Sequence, residues 1–307
     1  MCPVRERVSM WMREKVLLMK IFGYSKALYS TWLYLEPLRL LFDAGEGLNS
    51  FLEGRLLAFR NIAITHAHTD HFTGLQNIFI TRLREMEVTK QPLPPIKLFY
   101  PEDSHTLRHY FDYLEKVTNR WDELVQLQPV RPGQTYPLEG VRGVYLNVLK
   151  ADHYVYQQTA VCYRLDQERF SLKPELQDLP QAEINKRIAN EGRDALTTRV
   201  LRPLIFYSGD GRAIGDKDSQ DVPLMIHEAT FLEPSPKVAH ASLPEVIKLY
   251  RETNAKHLLL FHLSTRYEYK EFIQLLDKLV PEQKERSRIF VIRPGGMFAK
   301  NISVPGF

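Results

Sequence analysis

The amino-acid sequence predicts an α/β layered domain, and three observations carry that prediction. Short β-branched and aromatic runs alternate with longer stretches of helical spacing. No repeat, low-complexity tract or abrupt change of composition divides the 307 residues, so residues 19–307 read as one domain. Six apolar runs end in groups a reactive site would use: Asp43, His66 with His68, His153, Asp210, His227 with Glu228, and His262. Strand ends and the loops after them converge on one edge of a layered sheet, where such residues form a site.

In chain order, "STWLYLE" and "LRLLFDAGEG" read as strands joined by a turn at Glu36–Pro37. "NIAITHAH" is a buried strand, and "TGLQNIFITRLREMEV" after it has helical spacing. "IKLFY" is a strand; "PEDSHTLRHYFDYLEKV" opens with Pro101 and acidic residues, as a helix start does. "VYLNVLKADH", "TAVCYRL", "PLIFYSGDG", "PLMIHEATF", "KHLLLFH" and "RIFVIRPGG" read as strands, "SLPEVIKLYRET" and "KEFIQLLDKLV" as helices.

Composition narrows the setting. Two cysteines, Cys2 and Cys162, exclude a disulfide framework and favour a reducing, cytoplasmic compartment. The apolar stretch "VLLMKIFGYSKALYSTWLYL" is interrupted by Lys20 and Lys26, so no membrane span is expected. Residues 1–18 carry Arg5, Arg7, Arg13 and Lys15 without the apolar segment of a signal peptide. They read as a flexible extension ahead of a second plausible start at Met19. A net charge of +4 permits a nucleic-acid or phosphate partner without requiring one.

The densest chemistry lies in "ITHAHTDHFTGL", where His66, His68, Asp70 and His71 fall within six positions. Imidazole and carboxylate are the usual nitrogen and oxygen ligands of zinc. His66 and His68, two apart, point to one side of an extended segment; Asp70 and His71 follow where the chain turns toward a helix. Such a cluster can wrap two ions, with His153, Asp210 and His262 as candidate further ligands. Two zinc ions roughly 3.5–4 Å apart form a recurring hydrolytic device that brings the pKa of water toward about 7.

"THAHTDH" matches the His-x-His-x-Asp-His motif of the metallo-β-lactamase superfamily, and "FDAGEG" resembles the turn that precedes it there. "IHEATF", "AHAS" around His240 and "FHLSTRY" resemble the ribonuclease Z group in order and spacing. The resemblance implies a four-layer αββα metallo-β-lactamase sandwich and a dinuclear zinc phosphodiesterase, acting on RNA as a transfer-RNA 3′-end endonuclease. It implies that His66, His68 and His153 bind one Zn2+, that Asp70, His71 and His262 bind the other, and that Asp210 bridges them; Mn2+ or Fe2+ suits the same donors. Asp70 would also orient or deprotonate the attacking water, Glu228 would hold His240 as proton donor, and Asp43 would support the ligands from behind. A homodimer is implied as well.

Three departures bear on the substrate. The early Gly-Thr-Gly loop of ribonuclease Z chains is replaced by "FGYSKALYSTW". Cys162 stands where a glycine is usual, although Tyr163 and Arg164 fit. The Gly-Pro arm of the transfer-RNA-processing members is replaced by an interval without that pair, in which "QAEINKRIANEGR" reads as a short helix ended by Gly192. Lys186, Arg187, Arg193 and Arg199 there suit phosphates and a solvated helix face alike.

These departures favour an alternative on the same scaffold, a hydrolase of a small cyclic phosphodiester, aryl sulfate ester or lactone. A binding protein that has lost catalysis is disfavoured, because every expected ligand is present. A di-iron redox role is disfavoured too, because His68 stands where that branch carries glutamate. Arg266 and Tyr267, just after a proposed ligand, are candidates to hold a substrate phosphate. His105, His109 and His257 read as structural or surface histidines. The aromatic group Phe99, Tyr100, Tyr110, Phe111 and Tyr113 reads as packing of a helix on the sheet.

Overall fold

A computed structural model describes residues 16–213 and 217–305. Most of the expected N-terminal extension therefore lies outside the described residues; the first strand begins at Val16, three residues before Met19.

The chain forms two seven-stranded sheets. The first contains β1 (Val16–Lys26), β2 (Ser30–Leu35), β3 (Leu40–Phe42), β4 (Asn61–Ala63), β5 (Ile96–Pro101), β6 (Val125–Val130) and, at its edge beside β1, β14 (Phe298–Pro305). The second contains β7 (Thr135–Pro137), β8 (Val144–Lys150), β9 (Val161–Leu172), β10 (Thr197–Tyr207), β11 (Leu224–Glu228), β12 (His257–Phe261) and β13 (Ile289–Val291). Strands β3 to β6 run parallel, as do β10 to β13, while the remaining pairs are antiparallel.

Nine helices complete the described residues: α1 (Leu48–Leu52), α2 (Leu75–Thr89), α3 (His105–Val117), α4 (Trp121–Leu124), α5 (Gln181–Glu191), α6 (Arg193–Leu196), α7 (Leu243–Glu252), α8 (Tyr269–Leu279) and α9 (Gln283–Arg286). Period-two alternation divides each central strand between two cores. In β2, Leu33 and Leu35 join the core between the sheets, while Trp32 and Tyr34 join the core under the helices. In β12, Leu259 and Phe261 face inward and Leu258 and Leu260 outward. Ile78 and Phe79 of α2 and Leu107 of α3 cover one sheet; Val246 of α7 and Leu276 of α8 cover the other. The result is the four-layer αββα sandwich expected from the sequence.

Helix α3 starts later than Pro101. That proline ends β5, and the cap is Ser104, whose Oγ accepts from the Leu107 N–H at 3.3 Å. The helix packs as expected, with the Tyr100 and Phe111 rings edge to face at 4.9 Å. His105 and His109 are exposed.

The interval after Arg164 has its own architecture. Strand β8 pairs with β9 only as far as Gln167, whereas β9 and β10 continue together to Leu172 and Thr197. Beyond the sheet they form a two-stranded ribbon, capped by α5 and α6. Gly192 ends α5, as the sequence predicted.

Candidate metal centre

All the expected ligands come together at one edge of the two sheets, where β4, β8, β10 and β12 end. The approach of their loops depends on absent side chains. A Cβ on Gly45 would stand 2.4 Å from the Asp70 carbonyl oxygen, and one on Gly209, whose φ is +58°, would stand 2.8 Å from Thr65. Through these contacts Ala44 N–H reaches His71 O at 2.6 Å.

His66, His68, His153 and Asp210 offer ligand atoms all within 4.8 Å of one another, as do Asp70, His71 and His262. His66 Nε2 lies 3.0 Å from His68 Nδ1, which lies 3.2 Å from His153 Nε2. Around the second position, His262 Nε2 and His71 Nε2 lie 3.4 and 3.5 Å from Asp70 Oδ2. A single oxygen, Asp210 Oδ2, is shared by both groups, at 3.2 Å from His262, 3.3 Å from His71 and 3.8 Å from His66.

Hydrogen bonds behind the ligands set which ring nitrogens carry protons. Asp43, fully buried, accepts from His71 Nδ1 at 2.9 Å, from Tyr207 Oη at 2.7 Å and from the Thr65 N–H at 2.8 Å. Thr65 Oγ1 also donates to Asp43, so it must accept from His66 Nδ1, 2.9 Å away. On the other side Thr230 Oγ1 donates to Glu228 Oε2 and accepts from His262 Nδ1 at 3.0 Å. His153 Nδ1 donates to the Ala239 carbonyl at 2.9 Å. Each of these four imidazoles therefore turns Nε2 into the centre, bare at His66 and His153; burial works against charge on His71, but Asp210 and Asp43 outweigh it and hold its pKa well above the ordinary value.

Lone pairs crowded in this way repel unless a cation stands among them. Burial holds His66, His68 and His153 below their ordinary pKa, His68 at about 4, so protonation does not relieve the crowding. Among the described residues, His71 Nε2 and Asp210 Oδ1 are buried without a hydrogen-bond partner. Burial opposes charge on Asp210, yet His262 and His71 outweigh it and keep the carboxyl ionised. Tetrahedral zinc with nitrogens at 2.0–2.1 Å sets neighbouring ligand atoms about 3.3 Å apart, close to the spacings found in both groups. The residues fit divalent metal ions.

Glu228 and His240 are placed beside this centre. Glu228, fully buried at the end of β11, has all its lone pairs engaged: Oε1 accepts from His240 Nδ1 at 2.7 Å and Gly211 N–H at 2.9 Å, and Oε2 accepts from Thr230. Burial works against a charged His240, but the Glu228 hydrogen bond and charge outweigh it and raise its pKa to about 8. The His240 ring centre is 4.8 Å from that of His153 and 5.4 Å from that of His262. Arg266 and Tyr267 lie in the turn after His262; Arg266 is exposed and Tyr267 half-buried. His257 opens β12 with its ring against Phe290. His227 turns away from the ligands, donating from Nδ1 to the Glu228 carbonyl at 2.8 Å.

Thr65, Thr230 and Tyr207 are parts of the site that the motif reading passed over. Thr65 and Thr230 lie in quoted motifs, one before His66 and two after Glu228, and a hydroxyl so close to a ligand or carboxylate is the signal available. Nothing local marks Tyr207.

The sequence matches the family described as "Beta-lactamase superfamily domain" over residues 38–263. It is 26% identical over 268 residues to ribonuclease Z of Archaeoglobus fulgidus, covering 78% of this chain and 82% of that protein. It is 25% identical over 300 residues to tRNase Z TRZ1 of Arabidopsis thaliana, covering 92% and 99%. Among solved structures, the short form of human tRNase Z superposes with a TM-score of 0.59 at 17% identity, over 92% of this chain and all (100%) of that one. The metallo-beta-lactamase fold protein YhfI of Bacillus subtilis superposes with a TM-score of 0.61 at 14% identity, with the same coverage of 92% and 100%. Both superpositions speak for the fold. The chain belongs to the beta-lactamase superfamily, as a metal-dependent hydrolase of ribonuclease Z-like kind.

Proposed function

We propose that this protein is a dinuclear zinc phosphodiesterase that cuts RNA, with the 3′ end of precursor transfer RNA as its substrate. His66, His68 and His153 would hold one ion, Asp70, His71 and His262 the other, with Asp210 shared. Ions held there supply an ionised water at neutral pH and neutralise charge on the phosphate oxygens. Asp70 stays ionised: burial resists this, but the hydrogen bond from His262 and the nearby His71 outweigh it. Its carboxylate orients the attacking water and takes its proton.

The observation that carries the reading is the Glu228–His240 pair. Scission of a phosphodiester bond must protonate the departing ribose oxygen, whereas the phenolate of an aryl sulfate ester departs without a proton donor. With Nδ1 engaged by Glu228, His240 has Nε2 free to deliver that proton. The names of the relatives support RNA as the substrate, and the capped ribbon of β9 and β10 supports it as a surface outside the cleft for a large ligand. Exposed Arg266 is suited to a substrate phosphate. A homodimer is part of the same reading.

The test is cleavage by zinc-loaded protein of a 3′-extended precursor transfer RNA and of bis(p-nitrophenyl) phosphate, beside His66→Ala and His240→Ala. RNA cut at one position, and lost in both variants, is expected. Turnover of the small diester alone would move the protein to the small-molecule reading, which the altered β1–β2 turn, with Leu28 81% exposed, favours. Cleavage of neither substrate by zinc-bound protein would overturn phosphodiester chemistry.

A further inference from the structure

We propose that Tyr154 and Tyr156 form a stacking platform for the bases of single-stranded RNA beside the metal centre, an inference that rests on the RNA-cleaving reading above. In the loop from Asp152 to Thr159, residues 152–156 alternate between exposed and more buried positions. His153 turns its Nε2 into the centre, and Val155 is buried at 6% exposure. Between and after them, Tyr154 is 70% and Tyr156 64% exposed. Tyr156 and Gln157 form the tip of a tight turn closed by the Val155–Gln158 bridge, with Gln157 at φ +51°.

The loop is held without help from either ring. Asp152 O accepts from the Arg212 N–H at 3.1 Å, and the Asp152 carboxylate faces the Arg212 guanidinium at 3.5 Å. Gln158 accepts from Ser104 Oγ at 2.6 Å and donates to Thr106 Oγ1 at 3.1 Å. Thr159 donates to Asp103 from N at 3.0 Å and from Oγ1 at 2.6 Å. Two aromatic side chains are thus presented to solvent on a braced turn, one of them the residue next to a metal ligand. A strand whose phosphate reaches the centre has its adjoining bases within reach of this rim. Every base has a π-face, so stacking on tyrosine tolerates any sequence, and a braced turn limits the ordering cost.

The experiment uses zinc-loaded full-length protein and an RNA hairpin with a single-stranded 3′ extension, intact or with abasic sites flanking the scissile phosphate. The intact extension should show a KM about tenfold lower than the abasic one in the wild type. The Tyr154→Ala/Tyr156→Ala double variant should lose that difference, and the corresponding Phe variants, which keep the π-face, should retain it. Binding is read in parallel with 2-aminopurine at the flanking position, whose fluorescence stacking quenches. Quenching lost in the Ala variant and kept in the Phe variant supports the platform, even if the RNA is not cut, which would sink only the cleavage reading. Equal KM for intact and abasic RNA, or quenching unchanged in the Ala variant, would overturn it.

Discussion

Asp43 and Glu228 do the same work from opposite sides of the centre. Each is fully buried, and each reaches a ligand imidazole through a threonine hydroxyl: Asp43 through Thr65 to His66, Glu228 through Thr230 to His262. Asp43 also holds His71 directly, Glu228 His240. Partners of this kind fix ring orientation and ligand basicity, and their loss costs about 10–100-fold in metal affinity. Asp43→Asn should weaken zinc binding by that amount, measured by competition with a chromophoric chelator, while far-UV circular dichroism stays unchanged. Thr65→Val should fall in the same range. Glu228→Gln removes the groups that raise His240 to about 8, so the alkaline limb of the pH–rate profile should move to lower pH. An unmoved limb in that variant would show that another group donates the proton. Among the expected ligands, His66, His68, Asp70 and His71 were legible because their spacing is local, and His153, Asp210 and His262 through the resemblance. The threonine relays were not, since a hydroxyl becomes a relay only when residues 22 and 32 positions apart are brought together.

At the level of elements, the parallel strands other than β6 were legible from short apolar runs with polar ends. β1, β6, β7 and β14 were not, and in β6 the apolar run is broken by Gln126, Gln128 and Pro129. In β1, Lys20 and Lys26 interrupt the apolar pattern, and what completes the strand is its antiparallel pairing with β14 from Val16–Pro305 to Gly23–Phe298. The start of α3 was misplaced because Pro and acidic residues signal a helix N-terminus and a strand end alike; the Ser104 cap decides it.

Backbone geometry at the site is also an element-scale effect. Asp43 and His262, each just after a strand, adopt left-handed φ of 53° and 58°. This conformation costs non-glycine residues about 1–3 kcal/mol and is held by surrounding bonds, here Thr65 and His71 on Asp43 and Ser25 Oγ on the His262 N–H. In α2, the buried Arg82 has no carboxylate partner among the described residues; it donates to the carbonyls of Leu56, Leu57 and Pro94, tying the helix to the segments before and after it. Arg82→Ala leaves those acceptors unpaired and should cost about 2–3 kcal/mol in urea unfolding. Its activity per folded molecule should be unchanged.

For the whole molecule, the αββα layering explains why one edge collects the chemistry. The two sheets are joined by a continuous core from Met19 and Phe42 to Tyr207 and Phe261, so the loops at their common edge are fixed relative to one another. The ribbon of β9 and β10 was less legible, because the sequence between them lacks the Gly-Pro pair and its helical segment buries little: Leu176, Ile184 and Leu196 are buried there, and none of them joins either core. No helix among the described residues is long and apolar enough to cross a membrane.

Ions bound only by the folded chain stabilise it by mass action, each by about 2.7 kcal/mol at a free concentration one hundred times its Kd. Chelation should therefore lower the melting midpoint, and zinc should restore it; a midpoint indifferent to both would mean that the lone-pair cluster holds no ion. The most direct test of the account is a zinc titration of metal-free protein, with bound metal counted by mass spectrometry and RNA cleavage followed in the same samples. Two equivalents per chain, with cleavage rising as they bind and falling away in His66→Ala, are predicted. Folded protein that binds no zinc, or that cuts RNA equally well without it, would contradict the account.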